Sequence, residues 1–137
     1  MVRPVLVKRI IDAKGEIVRE PGQEAPFKEC FSSRHASLMH RYLKAVVSNK
    51  KGTGRRATIE GRDTAGKTGT ARRLVNGKYS LKSHNSTFVG ILPIEEDSAM
   101  IIGVFFQDIK KGSDYGAAAC APVFREIAQY ILEGDIR

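Results

Sequence analysis

Seven residues, Ala65-Gly66-Lys67-Thr68-Gly69-Thr70-Ala71, constrain this chain more than any other stretch. They set one cation, two hydroxyls and two glycines on a segment without a bulky side chain. Glycine removes the steric barrier to close approach and leaves backbone N–H groups presentable. On an extended segment Thr68 and Thr70 fall on one face, with the charge of Lys67 beside them. The expected guest is an anion.

Two motifs compete for these residues. Read from Gly61, the run to Thr68 fits the phosphate-loop pattern G-x-x-x-x-G-K-[ST]. Read from Lys67, Lys67-Thr68-Gly69 is a K-T-G box. A phosphate loop needs a buried strand before it and a helix after it. Thr58 to Asp63 is too polar for a central parallel strand, Gly69 would fall in the first helical turn, and Asn76-Gly77 is a hairpin-turn signal. Context therefore places Lys67 on a strand, predicted from Ala65 to about Leu74.

The 137 residues suffice for a single domain, and 42% hydrophobic with 28% charged residues is ordinary for a globular one. Lysine and arginine number 23 against 15 acids, a formal charge of +8. The basic pairs Lys50-Lys51, Arg55-Arg56 and Arg72-Arg73 are scattered and aromatics make up only 7%, so a solvated basic surface is preferred over a nucleic-acid footprint. His35, His40 and His84 show no metal spacing, and no metal or cofactor is expected. Cys30 and Cys120 form neither a metal spacing nor a disulfide framework; Cys120 reads as a small buried hydrophobe. No apolar run approaches a membrane span, and Met1 to Pro4 does not begin a signal peptide.

The expected architecture is α+β, an antiparallel sheet with packed helices in one domain over residues 1–137. Residues 1–31 read as a hairpin (Val5–Ile11 with Glu16–Val18) and a loop holding Pro21, Gly22 and Pro26. A helix is predicted over 32–52, capped by Ser32 or Ser33 and stopped by Gly52, with Lys50 and Lys51 in its last turn. Its stripe Leu38, Met39, Tyr42, Leu43, Val46, Val47 is expected to be a core contact. Antiparallel strands fill 65–108: after the Asn76-Gly77 turn, residues 78–85 read as irregular or weakly extended, a second strand runs Ser86–Leu92 and ends at Pro93, and a third runs Ala99–Phe106. The link between the last two is too short for a crossover helix, so they are antiparallel. The third strand, apolar on both faces, wants a neighbour on each edge and cover on each face; Asp108 ends it. Lys110 to Gly116 is a loop, and a last helix is predicted over 122–133 with Pro122 at its first position and Gly134 near its close.

From about Met39 onward the chain resembles the end of the transpeptidase domain of class B penicillin-binding proteins. The carriers are Val46-Val47 with Gly52-Thr53-Gly54, the Ala65–Ala71 box, Ser86 to Pro93, Tyr115-Gly116 and Ala121 to Ile127. Val2 to Val18 also fits an upstream segment of that family. The resemblance implies the C-terminal portion of a penicillin-binding, β-lactamase-like fold, in a group of serine D,D-transpeptidases that cross-link peptidoglycan stem peptides. It implies that the backbone N–H of Thr70 is an oxyanion donor. It further implies that Thr68 and Thr70 bind the carboxylate of a D-Ala-D-Ala terminus or of a β-lactam, that Lys67 supplies positive potential, and that Gly69 stays small so that substrate can lie along the strand.

The family's S-x-x-K and S-x-N boxes precede K-T-G by a long way. Ser48-Asn49-Lys50-Lys51 and Ser83-His84-Asn85 match them only in letters, one too near and the other on the wrong side, and are read as coincidence. The chain is thus expected to lack its nucleophile, to need the missing N-terminal part of the same domain, and to be inactive alone. A periplasmic or extracytoplasmic site is implied, with membrane attachment only through a distant N-terminal anchor. The alternatives are a phosphate-loop nucleotide-binding protein (Gly61 to Thr68) and a basic nucleic-acid-binding module.

Overall fold

The structure, a computed structural model, describes residues 7–20, 30–95, 98–109 and 116–134. Of the segments read above, the start of the hairpin (Val5, Leu6), the Pro21–Pro26 loop, and the Lys110–Tyr115 loop lie outside the described residues. The chain divides into two compact units, Met1–Ala36 and Ser37–Arg137.

In the first unit, strands β1 (Ile10–Ile11) and β2 (Ile17–Arg19) pair antiparallel as a two-stranded sheet of their own. The turn between them is organised by Asp12, whose Oδ1 accepts from the N–H groups of Lys14 (2.8 Å) and Glu16 (2.9 Å), and by Gly15 at φ +87°. The predicted hairpin is present, shorter than expected.

Helix α1 (Ser33–Ser48) starts where its sequence places a cap. Ser32 Oγ accepts from the His35 N–H at 3.4 Å and pairs with His35 Nδ1 at 3.0 Å. It ends four residues before Gly52, so Lys50 and Lys51 lie in the turn beyond it rather than in its last turn. That turn folds back tightly: Gly52 N–H donates to Asn49 O (2.8 Å) and Gly54 N–H to Val46 O (3.0 Å). A Cβ on Gly52 would run into the Val46 carbonyl, which is why glycine stands there. The apolar stripe of α1 is the expected core contact only towards its C-terminal end, where Leu43 and Val46 are half-buried. Val47 is buried at 1% exposure, but Leu38, Met39 and Tyr42 stand exposed.

Strands β3 (Ala65–Val75), β4 (Lys78–Glu95) and β5 (Ser98–Ile109) form an antiparallel sheet in that order. The β3–β4 turn is the predicted one: Asn76 and Gly77 take φ values of 51° and 75°, the two positive dihedrals of a type I′ turn. β4 corrects the sequence reading at both ends. Residues 78–85 are strand, drawn in by the hairpin turn although they lack apolar alternation. Pro93 does not end β4 but pairs with Ala99 beside a register shift, where a missing N–H is tolerated.

Helix α2 (Gly116–Leu132) begins well before the predicted start and carries Pro122 inside it. The run Ala117-Ala118-Ala119-Cys120-Ala121 favours helix strongly enough to extend it upstream of the proline. Packing offsets the lost hydrogen bond, since Cys120, Ala121, Phe124 and Ala128 are fully buried. α2 lies against β4, β5 and the 3-10 turn Arg55–Ala57. Gly134, at φ +82°, follows its last turn.

The core of this unit closes around Phe88, fully buried on β4 and edge-on to Phe124 of α2, with ring centroids 4.9 Å apart at 61°. Three glycines make room for it. A Cβ on Gly54 would come within 3.2 Å of the Phe88 ring, one on Gly66 within 2.5 Å, and one on Gly90 within 2.9 Å. On the opposite face of the sheet Ile101 is 72% and Phe105 66% exposed. Among the described residues β5 has β4 as its one neighbour.

Candidate active site

β3 is an edge strand, hydrogen-bonded to β4 on one side and to no strand on the other among the described residues. Its central box keeps a regular register: Lys67 faces Val89, Thr68 Phe88, Gly69 Thr87 and Thr70 Ser86. Paired residues share a face, so Thr68 and Thr70 stand on the side of the fully buried Phe88 and Ser86, as their spacing predicts. Lys67 and Gly69 stand on the other side. Lys67 and Thr70 are exposed, and Thr68 and Gly69 are half-buried.

The ammonium of Lys67 donates to the carbonyl of Thr68 at 2.8 Å, which holds the charge against its own strand. Thr68 Oγ1 donates to Thr53 Oγ1 at 3.1 Å. Thr53 thus joins the box from the turn after α1; the sequence reading passed over it as part of a connection, although the glycines on either side of it were a signal. A Cβ on Gly69 would press on the Thr87 hydroxyl, a second neighbour that the sequence did not reveal. The glycines of the box therefore differ in purpose. Gly66 is kept small by the Phe88 ring and the Val89 carbonyl, whereas Gly69 meets only a rotatable side chain.

The serines of the two coincidental boxes are placed elsewhere. Ser48 is the exposed last residue of α1. Ser83 is buried on β4 and donates to Asp108 Oδ1 at 2.6 Å. Arg73, expected to be an exposed cation, is ion-paired with Asp108 at 2.7 Å. Cys120 is fully buried, and burial pushes its thiol above the ordinary value. Among the described residues no group of three or more His, Cys, Asp or Glu side chains could hold a metal, and no helix is long and apolar enough to cross a membrane.

A phosphate loop does not fit this geometry. Lys67 and Thr68 lie inside an 11-residue strand of an antiparallel sheet, where that motif needs a helix start.

Solved structures define the class first: this is the α+β fold of penicillin-binding transpeptidase domains. The chain superposes on the transpeptidase domain of Burkholderia pseudomallei penicillin-binding protein 3 with a TM-score of 0.69 at 27% identity, covering 88% of this chain and 36% of that one. On penicillin-binding protein 3 from Mycobacterium tuberculosis, solved with aztreonam, the TM-score is 0.70 at 29% identity, covering 94% and 30%. Residues 1–129 match the penicillin binding protein transpeptidase domain, and the chain belongs to that family. Among named relatives, a probable peptidoglycan D,D-transpeptidase PenA of Neisseria flavescens is 37% identical over 64% of this chain and 22% of its own length. Stage V sporulation protein D of Bacillus subtilis is 29% identical over 90% of this chain and 19% of its own length. The chain thus spans about a fifth of these relatives.

Proposed function

We propose that this chain is the K-T-G-bearing part of one serine D,D-transpeptidase domain that cross-links peptidoglycan stem peptides and is acylated by β-lactams. The observation that carries the reading is the placement of Lys67 to Thr70 on a strand that, among the described residues, pairs with β4 alone and stands at the edge of its sheet. An extended peptide can add to such an edge by main-chain hydrogen bonds. The substrate's D-Ala-D-Ala terminus, or a β-lactam in its place, lies along β3. The hydroxyls of Thr68 and Thr70 bind its carboxylate, and Lys67 adds positive potential. As the carbonyl under attack becomes tetrahedral, the backbone N–H of Thr70 donates to the developing oxyanion; one such donor is worth about 3 kcal/mol.

The nucleophilic serine and its lysine come from the upstream part of the same domain; Ser48 is the exposed last residue of α1, and Ser83 is buried with its hydroxyl on Asp108. The relatives act on peptidoglycan by name, and one neighbour was solved with aztreonam, which supports this substrate class. The same reading puts the protein on the extracytoplasmic side of the membrane, held by an N-terminal anchor.

The test uses labelled penicillin and mass spectrometry. The complete protein should form a stoichiometric acyl adduct, Lys67→Ala should slow its formation with the fold intact, and this chain alone should form none. An adduct on any serine of the isolated chain, or unchanged acylation by both Lys67→Ala and Gly69→Val, refutes the assignment.

A further inference from the structure

Just beyond Thr70 the sheet loses its regular register in both ladders. The β3–β4 pairing runs from Ala65↔Ile91 to Arg72↔His84 and resumes at Leu74↔Tyr79. Between these points one residue of β3, Arg73, faces four of β4, Ser80 to Ser83. The β4–β5 pairing slips next to it, between His84 and Ser86. A cavity of about 420 Å³ opens at this irregularity, lined by Arg73, Val75, Ser80, Lys82, Ser83 and Asp108.

Asp108 joins all three strands there. From β5 its Oδ1 accepts from the buried Ser83 hydroxyl of β4 at 2.6 Å and pairs with Arg73 Nη1 of β3 at 2.7 Å. Its own N–H donates to Asn85 Oδ1 at 3.2 Å. Its φ is +57°, a conformation a non-glycine residue keeps only where its surroundings impose it.

The two halves of β3 obey different determinants. The Asn76-Gly77 turn dictates the pairing of the hairpin end, and the buried Phe88 and Leu92 dictate that of the box. If the hairpin's register ran on, Thr70 would face Ser83 instead of Ser86, and Thr68 would face Asn85 instead of Phe88. An odd slip of this kind sends side chains to the wrong face. We propose that Asp108 is a positioning residue for the substrate-reading segment: by pinning Arg73 and Ser83 it absorbs the mismatch between the two registers and fixes Thr70 on the open edge. The inference rests on the function proposed above for β3.

The test is made in the complete protein with Asp108→Ala, Asp108→Asn and Ser83→Ala, reading penicillin acylation together with amide hydrogen exchange. Displacing a reading group by an ångström can cost about a hundredfold in rate, so Asp108→Ala should acylate some ten- to a hundredfold more slowly. Exchange should accelerate across residues 68–75 while α2 stays protected. Asp108→Asn, which keeps an acceptor for Ser83, should recover part of the rate, and Ser83→Ala should lose less. Acylation within about twofold of the unmodified rate overturns the proposal, as does a slowing matched by equal loss of protection in α2. Should Asp108→Ala fail to fold, the two milder variants are judged by the same criteria. Should the unmodified protein take up no penicillin, the transpeptidase reading falls, and exchange alone decides: acceleration confined to residues 68–75 upholds the clamp, and unchanged exchange overturns it.

Discussion

Gly66 offers a sharp test of how the box is built. An added Cβ would lie 2.5 Å from Phe88 Cζ and 2.8 Å from the Val89 carbonyl oxygen, where an ordinary contact needs about 3.5 to 4 Å. Neither atom can easily yield. The ring is confined by Gly54, Gly90 and Phe124, and the carbonyl belongs to the β3–β4 ladder. Overpacking of this kind costs about 1–3 kcal/mol, and the backbone share puts Gly66→Ala near the upper end. The smaller freedom of alanine in the unfolded chain returns about 0.4–1 kcal/mol. The net loss is about 2 kcal/mol, roughly a thirtyfold fall in the folding equilibrium. Urea unfolding of the complete transpeptidase domain would show it as a lower midpoint at unchanged slope. Gly69→Ala is the internal control: its Cβ meets only the Thr87 hydroxyl, which can rotate away, so it should cost under about 1 kcal/mol. Phe88→Leu should relieve part of the Gly66→Ala penalty, because the two sites touch and their effects are not additive. Equal stability of Gly66→Ala and Gly69→Ala would refute the reasoning, as would strict additivity with Phe88→Leu.

Other expectations concern the site and its surroundings. Thr70→Ala should slow β-lactam acylation of the complete protein without abolishing it, because the backbone N–H remains; Thr68→Val should behave alike, at a cost of roughly 1–3 kcal/mol for a charged partner left unpaired. Thr64 Oγ1 is buried with no hydrogen-bond partner among the described residues, so the isosteric Thr64→Val should stabilise the fold by about 1 kcal/mol, read as a higher urea midpoint at unchanged slope. Burial raises the Cys120 thiol above its ordinary 9.0, so the folded state holds that proton more tightly than the unfolded chain does. Its contribution is fully present below 9.0 and is lost as pH rises past that value towards the raised folded-state one; Cys120→Ala should flatten the decline in stability above about pH 9.

The parts of the fold that were legible in the sequence are those written in local chemistry. Asn76-Gly77 announced its turn because two positive φ angles suit few other residue pairs, and the short link before Ser98 left no alternative to antiparallel pairing. Lys78 to Asn85 was misread because this stretch is recruited by the turn and carries no burial pattern of its own. Pro122 was read as a helix start because its local cost is visible in sequence, whereas the burial of Cys120, Ala121 and Phe124 that offsets it is not. At the site, the residue types of Lys67 to Thr70 marked the strand, but their supports are distant in sequence. Thr53, Thr87 and the Phe88 ring that requires Gly66 become neighbours only once the sheet forms. The stripe on α1 shows the converse: its amphipathic spacing runs along the helix, yet Leu38, Met39 and Tyr42 are exposed and only the end near Val47 is buried.

Among the described residues β3 has β4 as its one neighbour, and that has a thermodynamic consequence. A strand with one side open is an incomplete piece of secondary structure, and a peptide laid along it would close that ladder as another strand of the sheet. Ligand and fold then share one free energy. An occupant at a hundred times its dissociation constant adds about 2.7 kcal/mol to the folded state. Occupancy should consequently be legible as a rise in melting temperature, and variants that loosen this edge should be those rescued most by what binds to it.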